Sequence, residues 1–134
     1  MSFFLDIQAA LDTKLNQLAG GIDVAWENTS YIPTKGTAYL RPSLLMAPSS
    51  LLNFESLQMN QGIYQIDLFY PLDRGPGDML MKADEIHDHF KTDLKLVSNG
   101  VSVYLKAISR TTPSEIDEAW FMASIEINFK CYNN

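Results

Sequence analysis

Apolar side chains recur at Phe4, Ile7, Leu11, Leu15 and Leu18. Spacings of three and four stack them on one helix face, and Gly20-Gly21 stops the run. Residues 22–26 read as a short strand. Residues 27–36 are rich in turn formers and interrupted by Pro33, which predicts an ordered loop. A β-prone run over 37–41 meets Pro42, which cannot donate to a ladder and marks a strand end or a sheet edge. Residues 46–56 show no clean period and predict a long excursion.

Over 63–70, Tyr64, Ile66, Leu68 and Tyr70 alternate with Ile63, Gln65, Asp67 and Phe69. Neither set is purely polar, so this is the strongest central strand and both faces are expected to be covered. After a turn cluster at 71–77, Asp78 reads as an N-cap for a second helix carrying Leu80, Ala83, Ile86, His87 and Phe90, which ends near 91–93. Asn99-Gly100 between the β-prone runs 95–97 and 101–107 is a hairpin signal. A loop with Pro113 spans 110–117. Then Phe121, Ala123, Ile125, Ile127, Phe129 and Cys131 alternate strictly with Trp120, Met122, Ser124, Glu126, Asn128 and Lys130, the clearest half-buried strand in the chain. Helix, strands, helix, strands without βαβ alternation predicts one α+β domain over 1–134: a mainly antiparallel mixed sheet with two helices packed on it.

The chain has 134 residues and 46% of them are hydrophobic, which suits one domain with a real core and excludes disorder. No apolar run approaches the roughly 20 residues that span a bilayer, and the acidic N-terminal segment predicts no secretory leader, so folding in a cytoplasm is expected. The lone cysteine, Cys131, forms no internal disulfide and reads as a small core residue. A net charge of −6 disfavours capture of a phosphate backbone. Asp67, Asp73, Asp78, Asp84, Glu85, Asp88 and Asp93 cluster in one stretch and predict an acidic surface.

Catalytic candidates are few. His87 and His89 stand two apart on the second helix and point roughly 200° away from each other, so they cannot chelate one ion from it. The sequence Arg74-Gly75-Pro76-Gly77 lacks the spacing and the Lys-Ser/Thr of a phosphate loop, and no Gly-X-Ser-X-Gly elbow is present. Neither an enzyme, a metal nor a cofactor is expected. Trp26, Tyr31, Tyr39 and Trp120 are open to two readings, core or contact surface.

Two stretches carry a resemblance. Residues 26–41 contain Trp26-Glu27-Asn28 and Tyr39-Leu40-Arg41, and residues 62–71 begin Gly62-Ile63-Tyr64-Gln65-Ile66-Asp67, followed by a Gly-containing turn and an Ala83-Asp84-Glu85-Ile86 helix. Together they resemble the tail terminator-like proteins of phages, similar in role to the lambda tail terminator, over nearly the whole chain. The resemblance implies a structural virion protein at the head-tail junction of a siphovirus. Its subunits form a ring, typically a hexamer, that caps the tail tube, stops polymerisation and offers a docking surface to the head-tail connector. DNA would pass the lumen without specific binding, and no membrane is involved. A cyclic ring needs two different patches on each subunit. The candidate interface residues are Trp26, Asn28, Tyr31, Arg41, Leu51, Leu52, Arg74 and Arg110, from the loops near 27–36, 47–56 and 110–118 and the 71–77 turn. Arg41, before Pro42, either meets a carboxylate or faces a partner. Charge reversal at Arg41 or Arg74 is expected to reduce assembly and leave unfolding almost unchanged. Competing readings are a head-completion or other neck protein and a monomeric acidic adaptor for a host protein.

Overall fold

The computed structural model describes residues 3–18, 21–47, 50–51, 58–91, 95–116 and 119–133. Helix α1 (Phe3–Leu18) leads through β1 (Asp23–Val24) to β2 (Tyr39–Met46), β3 (Ser50–Leu51) and β4 (Gln58–Pro71). Helix α2 (Gly77–Lys91) is followed by β5 (Lys95–Ser98), β6 (Val101–Arg110), β7 (Ser114–Ile116) and β8 (Trp120–Asn133). The strands form one sheet in the order β1-β2-β4-β8-β6-β5, with β3 added to β4 and β7 to β8. Every pairing is antiparallel except β1 with β2. This is the α+β architecture that the hydrophobic pattern predicts.

β4 and β8 pair without slippage from Gln58↔Asn133 to Pro71↔Trp120 and form the spine of the sheet. Their alternation sets the two faces. Tyr64, Ile66 and Leu68 of β4 and Ala123, Ile125, Ile127, Phe129 and Cys131 of β8 are buried in the main core, together with residues of both helices. From α1 come Ile7, Ala10, Leu11 and Leu15, and from α2 Met79, Ala83, Ile86 and Phe90. Two helical assignments need correction. Phe4 is exposed and Phe3 packs on the core instead, because Phe4 lies roughly 60° around the helix from Ile7. Likewise Met79, not Leu80, opens the buried face of α2. Asp78 sits inside the first turn, where its charge favours the helix dipole, and not before it.

Asn99 (φ 49°) and Gly100 (φ 80°) form the two-residue turn between β5 and β6, both in the left-handed region that such a turn requires. The Asn99 amide donates to Asp6 Oδ1 at 2.9 Å, which ties the hairpin to α1. In β6 the register shifts between Leu105↔Phe129 and Ile108↔Ile127, so three steps on β6 match two on β8. That bulge moves Ile108 onto the face already occupied by Val103 and Leu105.

β2 continues through Pro42, so of the two alternatives at this proline the sheet edge holds and the strand end does not. Its neighbours explain this. The Leu40 carbonyl accepts from Ala25 N at 2.7 Å and Leu44 N donates to Glu27 Oε1 at 3.0 Å, so even-numbered backbone groups of β2 point away from β4. Pro42 occupies the outward position between them, where no amide is needed. The expected loop at 110–117 contains β7, held against β8 in the register Ser114↔Met122 to Ile116↔Trp120. Within the expected 46–56 excursion, β3 pairs with β4, and residues 48–49 and 52–56 lie outside those described. Gly20, half of the expected helix stop, and Asp93 of the acidic stretch also lie outside the described residues.

Candidate assembly surfaces

On the face of the sheet away from the helices, Tyr39, Phe69 and Ala25 form a second buried cluster, joined by Tyr31, Ile116, Trp120 and Met122. Tyr39 stacks on Phe69 with centroids 4.6 Å apart and planes 7° apart, and Trp120 meets both edge-on. Of the four aromatic residues that sequence left between core and contact surface, Tyr39 is buried in this small core, Tyr31 and Trp120 form its half-buried rim, and Trp26 packs instead against the main core.

Local bonds hold the 25–36 segment over this cluster. Thr29 donates to the Trp26 carbonyl through N at 3.2 Å and Oγ1 at 2.6 Å, and Asn28 takes the left-handed conformation (φ 56°) that closes the turn. The Tyr31 hydroxyl donates to Asp23 Oδ2 at 3.2 Å while its ring packs 5.0 Å from Tyr39. Burial and the Asp23 carboxylate both raise the Tyr31 pKa.

Arg41 meets a carboxylate. Its guanidinium lies 3.1 Å from Asp67 Oδ2 and 4.8 Å from the Phe69 centroid. Asp67, counted above among the surface acids, is instead buried: Oδ1 accepts from Ser124 Oγ at 2.6 Å and Gln65 Nε2 at 2.9 Å. A buried carboxylate needs such partners. Arg41→Glu would place a second carboxylate against it, so the almost unchanged unfolding expected from sequence for this reversal is corrected by the Asp67 pair. The expected loss is about 1–3 kcal/mol, below the figure for a fully buried pair because the Arg41 side chain is 51% exposed. Urea unfolding checks this, and an unchanged midpoint would leave Arg41 a contact residue only.

Trp26, Asn28, Tyr31 and Arg41 line one cleft of about 340 Å³ beside the second core. Arg74 stands apart in a larger cleft of about 570 Å³, with Pro33, Lys35, Gly36, Pro71 and Trp120. Arg110 is on the helix side, where its guanidinium pairs with Asp84 of α2 at 2.6 Å. Leu51 belongs to β3, and Leu52 lies outside the described residues. Lys35 joins Arg74 and Trp120 only through the fold, and no spacing in the chain signals it.

Beneath α1, the buried Tyr64 hydroxyl donates to Asp12 Oδ1. Burial raises the Asp12 pKa most; the Tyr64 hydrogen bond lowers it and Glu27 raises it further. Between the ordinary carboxylate value and this raised one, the folded chain binds more protons than the unfolded chain. The stability from Asp12 is therefore present at low pH and lost as pH rises through the raised value. Asp12→Asn keeps an acceptor for Tyr64 without the charge. It is expected to raise the urea midpoint at pH 7 and to leave it nearly unchanged near pH 3.

His89 Nε2 donates to the Lys14 carbonyl at 2.6 Å, a tie between the helices, and His87 is half-buried on the same helix. Among the described residues no group of three metal-ligating side chains converges, and no helix is long and apolar enough to cross a membrane. Burial pushes the Cys131 thiol up to about 11, which keeps it protonated.

The described residues form a two-helix α+β domain with an aromatic second core and two clefts at its rim. A family model described as phage tail terminator protein matches residues 6–129. The chain belongs to that family, and its role is that of a structural component of a phage tail. A solved structure is similar to this chain with a TM-score of 0.80 at 26% identity, over 98% of this chain and 96% of that one. No curated protein sequence matches.

Proposed function

We propose that this protein ends the tail: copies of it close into a ring, with six subunits as the expected number, on the last ring of tail tube protein. The ring stops polymerisation and presents its far side to the head-tail connector in the virion. The family match over nearly the whole chain carries this reading. The structure supports it in a physical way. Leu45 (50%) on β2, Leu80 (43%) and Met81 (70%) on α2, and Val97 (60%) on β5 are large apolar side chains left exposed on three different elements. A head-to-tail ring covers unlike patches on each subunit, which gives such residues a use. Each copy adds −6, and a ring of that overall charge disfavours capture of the DNA phosphates as the genome passes. Assembly in the bacterial cytoplasm agrees with the buried, protonated cysteine.

The test is electron microscopy of particles from a phage lacking this gene, with wild-type complementation as control. Tails of uncontrolled length beside filled, unattached heads are expected. Tails of normal length beside heads that have lost DNA would assign the protein to the head side of the neck. Unchanged virions would overturn both and favour an adaptor.

A further inference from the structure

The cleft of about 570 Å³ has three features that the proposed role does not use. Its apolar wall is Trp120 with Pro33 and Pro71. Its rim holds two cations, Lys35 and Arg74, neither of which forms an ion pair among the described residues. Asp73, also on the rim, offsets only one of them. On a chain of net charge −6, an apolar cleft of this size with a net positive rim selects an acidic occupant with an apolar centre.

The chain itself carries such an object. The outer side of α2 exposes Leu80 and Met81, with Asp84 and Asp88 following at helical spacing. Asp84 is held by Arg110, whereas Asp88 is exposed and forms no ion pair among the described residues. α2 packs on the face formed by Ile66 and Ile125, and Trp120 stands on the opposite face of β8. A chain cannot bring these two patches together within itself, but a neighbour can. Unlike patches on opposite faces make a head-to-tail contact, the kind that propagates into rings.

We propose that the Lys35–Arg74–Trp120 cleft receives the outer face of α2 from a second copy of this chain, with Leu80 and Met81 against the indole and Asp88 between the two cations. The assignment rests on the ring reading and adds the residues of its subunit contact.

Charge exchange tests it. Arg74→Glu makes both patches acidic, and Asp88→Arg makes both basic. Each variant alone is expected to self-associate at least tenfold more weakly than wild type in sedimentation velocity, with an unchanged circular dichroism spectrum. An equimolar mixture is expected to recover association. In it the altered cleft of one variant meets the altered helix of the other, acid against base, and the remaining contact is the native one of Arg74 with Asp88. Carbodiimide treatment of isotope-mixed wild-type protein, in solution and on isolated tails, is expected to join Lys35 of one copy to Asp88 of another. Association of either variant at wild-type strength, a mixture that fails to recover, or no such cross-link in both settings would overturn the contact. Those results would leave the tail-length experiment to decide the role separately.

Discussion

Phe129→Ala is expected to destabilise the protein by about 3–5 kcal/mol, read as a lower urea midpoint with little change in slope. The ring is 1% exposed on the spine strand β8, between Leu105 on β6 and Gly62 on β4. Two effects add. Removing the ring forfeits its burial from water, and the surrounding strands cannot collapse into the space because all are held in ladders on both sides. The gap would also open over Gly62, which has no side chain to fill it. Ile127→Ala, two residues away and fully buried, is expected to cost about 2–5 kcal/mol by the same mechanism with a smaller side chain. A near-neutral result at both would mean that β8 presents its other face to the helices.

The legibility of β8 in the sequence has a physical cause. One face is buried under helices and the other carries Glu126, Asn128 and Lys130, so burial and alternation coincide. β4 is less regular because Asp67 and Phe69 are buried on the second face as well, and an apolar pattern on both faces shows a strand without showing what covers it. β7 left no trace, since three residues hold no period and their pairing depends on where β8 begins. Pro42 misled in part because its outward amide position, and not its residue type alone, decides whether a strand tolerates proline.

The same contrast holds for the assembly surfaces. Trp26, Asn28, Tyr31 and Arg41 come from neighbouring segments, and their association in one cleft follows the chain. Lys35 and Arg74 come from two distant turns and Trp120 from the start of β8, and the antiparallel return of β4 against β8, which sets Pro71 opposite Trp120, brings the Arg74 turn to the indole. Arg41 illustrates a third case. The alternatives of carboxylate or partner were legible, but the choice lay with Asp67, placed opposite it by the β2–β4 register.

Gly62→Ala is expected to destabilise the protein by about 2–4 kcal/mol, although one methyl group is all that is added. A Cβ at this position would stand 2.4 Å from the Leu45 carbonyl oxygen and 3.2 Å from Met46 Cα, both backbone atoms of β2. Backbone in a ladder cannot move aside as a side chain tip does, so β2 must separate from β4 at its end. The Phe129 ring, 3.0 Å from the same point, is the other obstacle. These two sources of strain separate in a double-mutant cycle with Phe129→Ala. If the ring were the main obstacle, the double variant would recover most of the Gly62→Ala loss. The distances assign the larger share to the β2 backbone, so the two losses are expected to remain close to additive, with recovery below about 1 kcal/mol.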